Sequence, residues 1–365
     1  MPSFEAVRRR NLDLHLIETI KQVGVSNYSL ISRLTGLNAE TVRYKVNKHL
    51  EKLGLNPNIT INFGELGLVS GVLIAKANPS ADAKWIDELG YVNFAGKVSG
   101  ADQFVCFYAV PFRFKKKYVD KLSALKGRGV LVDFEAIELY WVRYPPFRTE
   151  FYNFEEKKWD VDWNRVDLTS NELGMTAIGV TREPSVDYFD VRILREMQDD
   201  PTTNLTKIAK KMNANPRTVR YHHLEHVLRG KFVLGNNMRW VRPLHDDGSA
   251  TIMQGLFRFD KMSQDENALV RRLFNKLPFT WFEAGTEDRS YFALLDIPME
   301  SFHQTVRFLE EKLESRKSRP EMLLLDPKRT RTINLQADMF DQKWGWRLLD
   351  TQPSNSKDAK GGENG

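Results

Sequence analysis

Two tetrapeptides, Thr41-Val42-Arg43-Tyr44 and Thr218-Val219-Arg220-Tyr221, carry the same residues in the same order. Hydroxyl, guanidinium and phenol groups donate to phosphate oxygens and base edges, and an arginine can bond guanine at two atoms. Further polar and basic groups lie close by in sequence: Lys45 and Lys48 after the first copy, Arg217 and His222 around the second. Lys231 and Arg239 follow in the next stretch. These spacings assign contacts with double-stranded DNA to Thr41, Arg43, Tyr44, Lys45, Lys48, Arg217, Thr218, Arg220, Tyr221, His222, Lys231 and Arg239.

Other reactive residues are sparse. His222 and His226 stand four apart on one expected helix, a zinc-ligand spacing, but no third ligand of the usual kind lies near them in sequence. The reading therefore assigns no metal and no cofactor, and gives His222 a groove contact and His223 a partly buried place. Cys106, the one cysteine, excludes an intramolecular disulfide framework and sits in an alternating run that reads as a buried strand. With no paired carboxylates, nucleophile–base set or glycine-rich phosphate loop in view, the chain reads as a non-enzyme.

The tetrapeptides need helices to present them. Asn38 and Asn215-Pro216 are helix-starting signals just ahead of each copy. Farther back, Asp13, Leu14, Ile17 and Ile20 answer Asp190, Val191, Leu194 and Met197. Helix, helix, turn, helix is the helix-turn-helix pattern, and it occurs twice. The first is expected as helices at about 12–23, after Ser26 or Asn27, and 39–52, then a strand at 58–63 that completes a winged helix. Arg8-Arg9-Arg10 read as a frayed terminus ahead of the first helix, or as an arm reaching a groove. The second motif is expected as helices at 188–198, 205–212 and 216–228 with a wing around 231–241.

After each motif the rhythm changes to strand, helix, strand, strand, helix, strand. The first set runs 68–77, 80–89, 92–98, 104–110, 115–125 and 130–142; the second runs 251–259, 263–277, 279–284, 290–296, 299–313 and 321–326. This is the ferredoxin-like βαββαβ order. Both sets end in an aromatic tail, 154–163 and 340–346. The expected class is α+β, two tandem modules, with winged helices at 1–64 and 187–244 and ferredoxin-like domains at 65–163 and 245–350. A linker at 164–186 and a disordered tail at 351–365 complete the division.

Net charge is +6, with a pI near 9.1. Residues 1–64 hold nine Lys/Arg against five Asp/Glu, and residues 187–244 hold eleven against six, so the remainder is acidic. Positive charge gathered in the two motifs is what a phosphate-facing surface requires. No apolar run approaches the roughly 20 residues of a membrane helix, and the start does not read as a signal peptide, so a cytoplasmic protein without a membrane partner is expected.

A winged helix followed by βαββαβ resembles the Lrp/AsnC (feast/famine) transcription regulators, particularly archaeal members, over roughly 11–163 and 187–346. The resemblance implies sequence-specific DNA binding and pairing through the ferredoxin-like sheets. Family members usually carry one module per chain, so here the pair is expected inside one chain as a pseudo-dimer, or between chains as a homodimer. The family's turn between the second and third strands is often Gly-Asp-Tyr-Asp; here it reads Gly100-Ala101-Asp102 and Gly285-Thr286-Glu287-Asp288. The resemblance thus implies a small-molecule effector site with Gly100, Asp102, Gly285 and Asp288 in its wall. The same architecture also resembles the sirohaem decarboxylases, which use His and Arg in the strands facing the cleft. The corresponding runs here, 94–98 and 281–284, contain no histidine.

Overall fold

The computed structural model describes residues 4–166, 175–179, 186–240, 252–314 and 319–348. The chain opens with α1 (Phe4–Val23), α2 (Tyr28–Thr35) and α3 (Ala39–Tyr44), the last continued by a π-helical turn, Lys45–His49. Asn27 Oδ1 accepts from Leu30 N–H at 3.0 Å and Asn38 Oδ1 from Thr41 N–H at 2.7 Å, which satisfies first-turn donors. Gly36 ends α2 at φ 71°, a left-handed conformation that favours glycine. Arg8, Arg9 and Arg10 lie inside α1, which begins earlier than the sequence pattern indicated.

Next come β1 (Leu55–Ile61), β2 (Leu68–Ala77), α4 (Trp85–Leu89), β3 (Val92–Val98) and β4 (Gln103–Pro111). They are followed by α5 (Lys115–Gly127), β5 (Leu131–Glu138), β6 (Trp141–Tyr144) and β7 (Met175–Ile178). The expected helix at 80–89 is reduced to α4, and the expected single strand at 130–142 is two pieces. The linker placed at 164–186 lies largely outside the described residues, and the tail at 351–365 wholly so.

The same order then recurs. Helices α6 (Tyr188–Asp199), α7 (Leu205–Lys211) and α8 (Pro216–Tyr221) precede a second π-helical turn, His222–Leu228. Strands β8 (Val233–Trp240) and β9 (Ile252–Phe259), α9 (Gln264–Lys276), β10 (Thr280–Gly285), β11 (Tyr291–Pro298), α10 (Phe302–Leu313) and β12 (Glu321–Thr332) follow.

Within each set the strands pair in the ferredoxin-like order, β5-β2-β4-β3 and β12-β9-β11-β10. The two sets then join edge to edge: β12 pairs with β3 and β10 with β6, both antiparallel. Since β5 and β6 are consecutive pieces of one strand, the sheet closes on itself at Leu139 and Tyr140. There Leu139 N–H donates to Ser70 O at 3.0 Å and Tyr140 N–H to Gly285 O at 2.8 Å. Closure removes the open edges that two separate sheets would expose. Alternation along each strand divides the side chains. Val105 and Phe107 face the inside with Phe94, Phe282, Leu294 and Leu325, whereas Cys106 and Tyr108 join an outer core. Phe107 and Phe282, from different sets, pack with their rings tilted by 48° and centroids 4.3 Å apart.

The winged-helix expectation changes in one respect. β1 and β8 do not fold back as separate wings; they pair with each other as a two-stranded antiparallel ribbon. Ile59 faces Asn236 in this ladder, and the two hold equivalent places in the repeated order. A local twofold axis therefore passes between the two motifs. The outer cores cross over as well. Ile17, Ile31 and Val42 of the first motif share a cluster with Phe257 and Phe274 of the second sheet, while Val191, Ile208 and Val219 share one with Trp85 and Leu122 of the first.

Two charged contacts span the joined sheets. Arg258 donates to both oxygens of Glu135 at 2.5 and 2.8 Å. Arg143 on β6 pairs with Glu283 on β10, which is 0% exposed and also accepts from Tyr291 Oη at 2.9 Å. Burial raises the Glu283 carboxyl above its ordinary value, against the pull of Arg143 and the Tyr291 hydrogen bond. Arg143→Met should therefore lower unfolding stability by about 3–5 kcal/mol, because it leaves a buried carboxylate unpaired. A carboxyl raised by folding gives stability that is present at low pH and lost as pH rises through the folded value. The deficit measured by denaturant titration should accordingly be larger in alkaline than in mildly acidic buffer, and a pH-independent loss would count against this pairing.

Candidate nucleic-acid interface

Each reading helix buries an apolar stripe and turns a polar face outward. Val42, Val46 and Leu50 pack inward in the first copy, and Val219 and Val227 in the second. Outward lie Arg43, Tyr44 and Lys48 in the first copy, and Arg217, Arg220 and Tyr221 in the second, with Thr41 and Thr218 half-buried beside them. The two tyrosines, Tyr44 and Tyr221, are 56% and 57% exposed. Arg43 reaches Glu40 at 3.3 Å and lies 6.0 Å from the Tyr28 ring centroid. Arg217, Arg220 and Lys48 form no ion pair among the described residues, so their charges are free for an anionic partner. The helix starts are firm, since Asn215 Oδ1 accepts from Arg217 N–H at 2.8 Å and Pro216 fills the first helical position.

Three of the twelve expected contacts turn inward instead: Lys45 and His222 on the reading helices, and Arg239 in the ribbon. Lys45 Nζ is 2.6 Å from Asp13 Oδ1 and His49 Nε2 is 3.0 Å from Asp13 Oδ2, so Lys45 ties the reading helix to α1. His222 Nδ1 is 3.0 Å from Asp190 Oδ1, and His226 Nδ1 is 3.1 Å from Asp190 Oδ2, doing the same against α6. The reason is shared: Asp13 is 5% exposed and Asp190 0%, and a buried carboxylate needs a partner. Their titrations nonetheless diverge. Burial pushes the Asp13 carboxyl up, but hydrogen bonds from His49 and Lys45 and the Lys45 charge bring it below its ordinary value. Burial pushes Asp190 up too, the neighbouring Asp187 charge adds to it, and the hydrogen bonds with Asp187, His222 and His226 do not bring it back down. His223 is half-buried as expected, and desolvation lowers its pKa.

Lys231 is exposed at the turn into β8 with φ 57°. Arg239 is not on the outer face. It lies within the ribbon, donates to Thr332 Oγ1 at 2.9 Å and stands 5.1 Å from the Trp281 ring centroid. There it lines a cavity of about 330 Å³ between the ribbon and the joined sheets, with Asn56, Phe94, Tyr144, Asn237 and Asp296. Burial raises the Asp296 carboxyl, partly offset by Arg239 and by Gln254, whose Nε2 donates to Asp296 Oδ1 at 2.6 Å. Nothing in the sequence separated Arg239 from a wing residue, because the partner of β8 is remote in the chain.

The expected effector residues do not line this cavity. Gly100 turns the chain at φ 73°, and Asp102 pairs with Lys97 at 2.9 Å. Gly285 packs against the Trp141 indole so closely that a Cβ would lie 2.5 Å from its Nε1. Asp288 accepts from Thr286 Oγ1 and from Ser290 N–H, and these bonds hold its carboxyl below the usual range. Both carboxylates thus serve contacts close by in the chain. Beside the second turn, Tyr140, Arg271, Thr286 and Arg289 bound a separate open hollow.

A family of winged helix-turn-helix DNA-binding segments matches residues 186–223, which hold α6, α7 and the start of the second reading helix. No curated protein sequence matches the chain. Among solved structures, the sirohaem decarboxylase NirDL is similar at 12% identity, over 86% of this chain and 90% of that one, with a TM-score of 0.47. A transcriptional regulatory protein of the AsnC family from Pyrococcus furiosus is similar at 16% identity, over 38% of this chain and 88% of that one, with a TM-score of 0.27. The leucine response regulatory protein LrpA of Mycobacterium tuberculosis is similar at 20% identity, over 35% and 90%, also at 0.27.

Lys45 and Lys48 separate the inward and outward roles. Lys45→Met removes a charged hydrogen bond from a buried carboxylate and should cost about 1–3 kcal/mol of unfolding stability. The Asp13 carboxyl is lowered by folding, so its contribution is present above the unfolded value and is lost as pH falls through the folded one. The Lys45→Met deficit should therefore shrink in acid. Lys48→Ala, on the exposed face, should stay within about 0.5 kcal/mol. Equal costs in denaturant titrations would contradict the assignment.

Proposed function

We propose that this chain is a sequence-specific, double-stranded-DNA-binding transcriptional regulator rather than an enzyme, arisen by tandem duplication of a winged-helix plus ferredoxin-like module. On this reading the two modules form a pseudo-dimer within the chain, and the cavity between ribbon and sheets takes a small-molecule effector. The observation that carries it is the pair of outward-facing Thr-Val-Arg-Tyr helices joined through the antiparallel ribbon of β1 and β8. Two reading helices about a twofold axis are what a pair of half-sites on a duplex requires. The match of residues 186–223 to winged helix-turn-helix DNA-binding segments supports the second head directly. The first head rests on the likeness of its elements and exposed side chains. The cavity, at about 330 Å³ and lined by aromatic groups with Arg239 and Asp296, is of a size and chemistry suited to a small polar ligand.

The two heads are alike but not identical. Glu40 stands where the second has Arg217, and Lys48 where it has Glu225. Exchanging donors for acceptors on the groove side makes the preferred bases differ between half-sites.

Fluorescence anisotropy with labelled genomic duplexes tests the reading. Affinity should fall with salt, by about 0.9 in log K per phosphate contact for each unit of log salt. Arg43→Ala and Arg220→Ala should each cost about 1–3 kcal/mol of binding where the arginine reads a base, and each should relax preference in a different half-site. Absence of duplex binding at low salt, or two substitutions acting on the same half-site, would overturn the proposal.

A further inference from the structure

We propose that Asp187, Asp190, His222 and His226 form a binding site for a zinc-class divalent cation, which fastens the second reading helix to α6. All four ligand atoms lie within 4.8 Å of one another. His222 Nδ1 is 3.0 Å from Asp190 Oδ1 and 3.2 Å from Asp187 Oδ2; His226 Nδ1 is 3.1 Å from Asp190 Oδ2 and 3.7 Å from Asp187 Oδ2. Zinc bonds of about 2.0–2.2 Å to nitrogen and oxygen, set tetrahedrally, separate their ligands by about 3.3–3.6 Å. The observed spacings bracket that edge.

Hydrogen bonds alone account less well for the cluster. Each Nδ1 faces oxygens of two carboxylates, while a neutral imidazole has one proton to give and directs it at one of them. Two carboxylates and two imidazoles also leave a net negative charge around Asp190, which is 0% exposed. Among the described residues, no lysine or arginine pairs with Asp187 or Asp190. The first copy shows the alternative solution. Asp13 holds the place of Asp190, His49 that of His226, but Lys45 replaces His222 and Arg10 replaces Asp187. There the chain supplies its own cation, with Lys45 Nζ 2.6 Å from the carboxylate. In the second copy both basic residues have become ligand types.

The groups behind the ligands are those a metal site uses. Asp187 Oδ1 accepts from Asp190 N–H at 3.0 Å, and Asp190 Oδ2 from Asp187 N–H at 3.0 Å, so a reciprocal capping box aims both carboxylates. Phe189 stacks on the His222 ring at 5.0 Å, and Tyr221 packs edge-on to the His226 ring at 5.5 Å, which fixes the imidazole planes. Imidazole and carboxylate ligands together suit zinc and its neighbours rather than calcium or magnesium. With three of the four ligands inside 186–223 and the fourth just beyond, the cation would link the first helix of the motif to the reading helix.

The test titrates chelator-treated full-length protein with cobalt(II) and then zinc(II), at neutral pH, against a competing chromophoric chelator. The expected result is one equivalent of zinc bound, cobalt absorption in the visible range that zinc abolishes, and a thermal midpoint raised by zinc. His222→Lys copies the first motif, so it should fold without metal and lose zinc affinity by at least about 100-fold, since even residues behind the ligands cost 10–100-fold. His226→Gln serves as a second variant should the lysine fail to fold, and it should lose affinity likewise. Absence of stoichiometric zinc binding by the wild type overturns the proposal, and so does unchanged affinity in a folded variant.

Discussion

Two strands run past their own sheets, and the rest of the molecule depends on where they go. Residues 131–138 pair with β2 and residues 141–143 with β10 of the other set, while β12 pairs first with β9 and then with β3. Each set therefore completes the other, and neither keeps the open edge that an isolated four-stranded sheet would present. The inner core follows from that closure, since Phe107 meets Phe282 and Phe94 meets Trp281 only because the sets are joined. The buried Arg143–Glu283 pair sits on the same seam, and its desolvation is tolerable because carboxylate, guanidinium and the Tyr291 hydroxyl are satisfied together.

Closure of the sheet also fixes the reading heads. The ribbon of β1 and β8 holds both motifs about one axis, and Asn237 fastens it to the segment after β6 by accepting from Phe147 N–H at 3.0 Å and donating to Pro145 O at 2.9 Å. Each motif then shares an outer core with the other set's sheet. The cavity with Arg239 and Asp296 lies where ribbon and sheets meet.

Much of this was legible in the residues. Helix starts at Asn38 and Asn215, the left-handed Gly36 and the period-two runs at Phe104–Tyr108 are local signals, and the corresponding elements stand where they were expected. The repeated order of elements could be read for the same reason. Pairing between the two sets could not, because a strand's alternation shows which face is buried but not which neighbour it bonds. That is why β1 and β8 read as separate wings and Arg239 as a groove contact. Lys45 and His222 misled differently: helical spacing puts them near the polar face, yet Asp13 and Asp190 draw them inward. The same aspartate, with Asp187, supplies the ligands that His222 and His226 lack in linear sequence, a signal present in the match of Asp13 to Asp190 once both carboxylates are seen to be buried.

The central claim is that one chain carries two unlike DNA-reading heads at a fixed separation. Selection of bound duplexes from a random library by the full-length protein tests it most directly. The account predicts enrichment of a site with two different half-sites at constant spacing, about one helical turn or a multiple of it. A perfect palindrome, a single half-site, or no enrichment would contradict it.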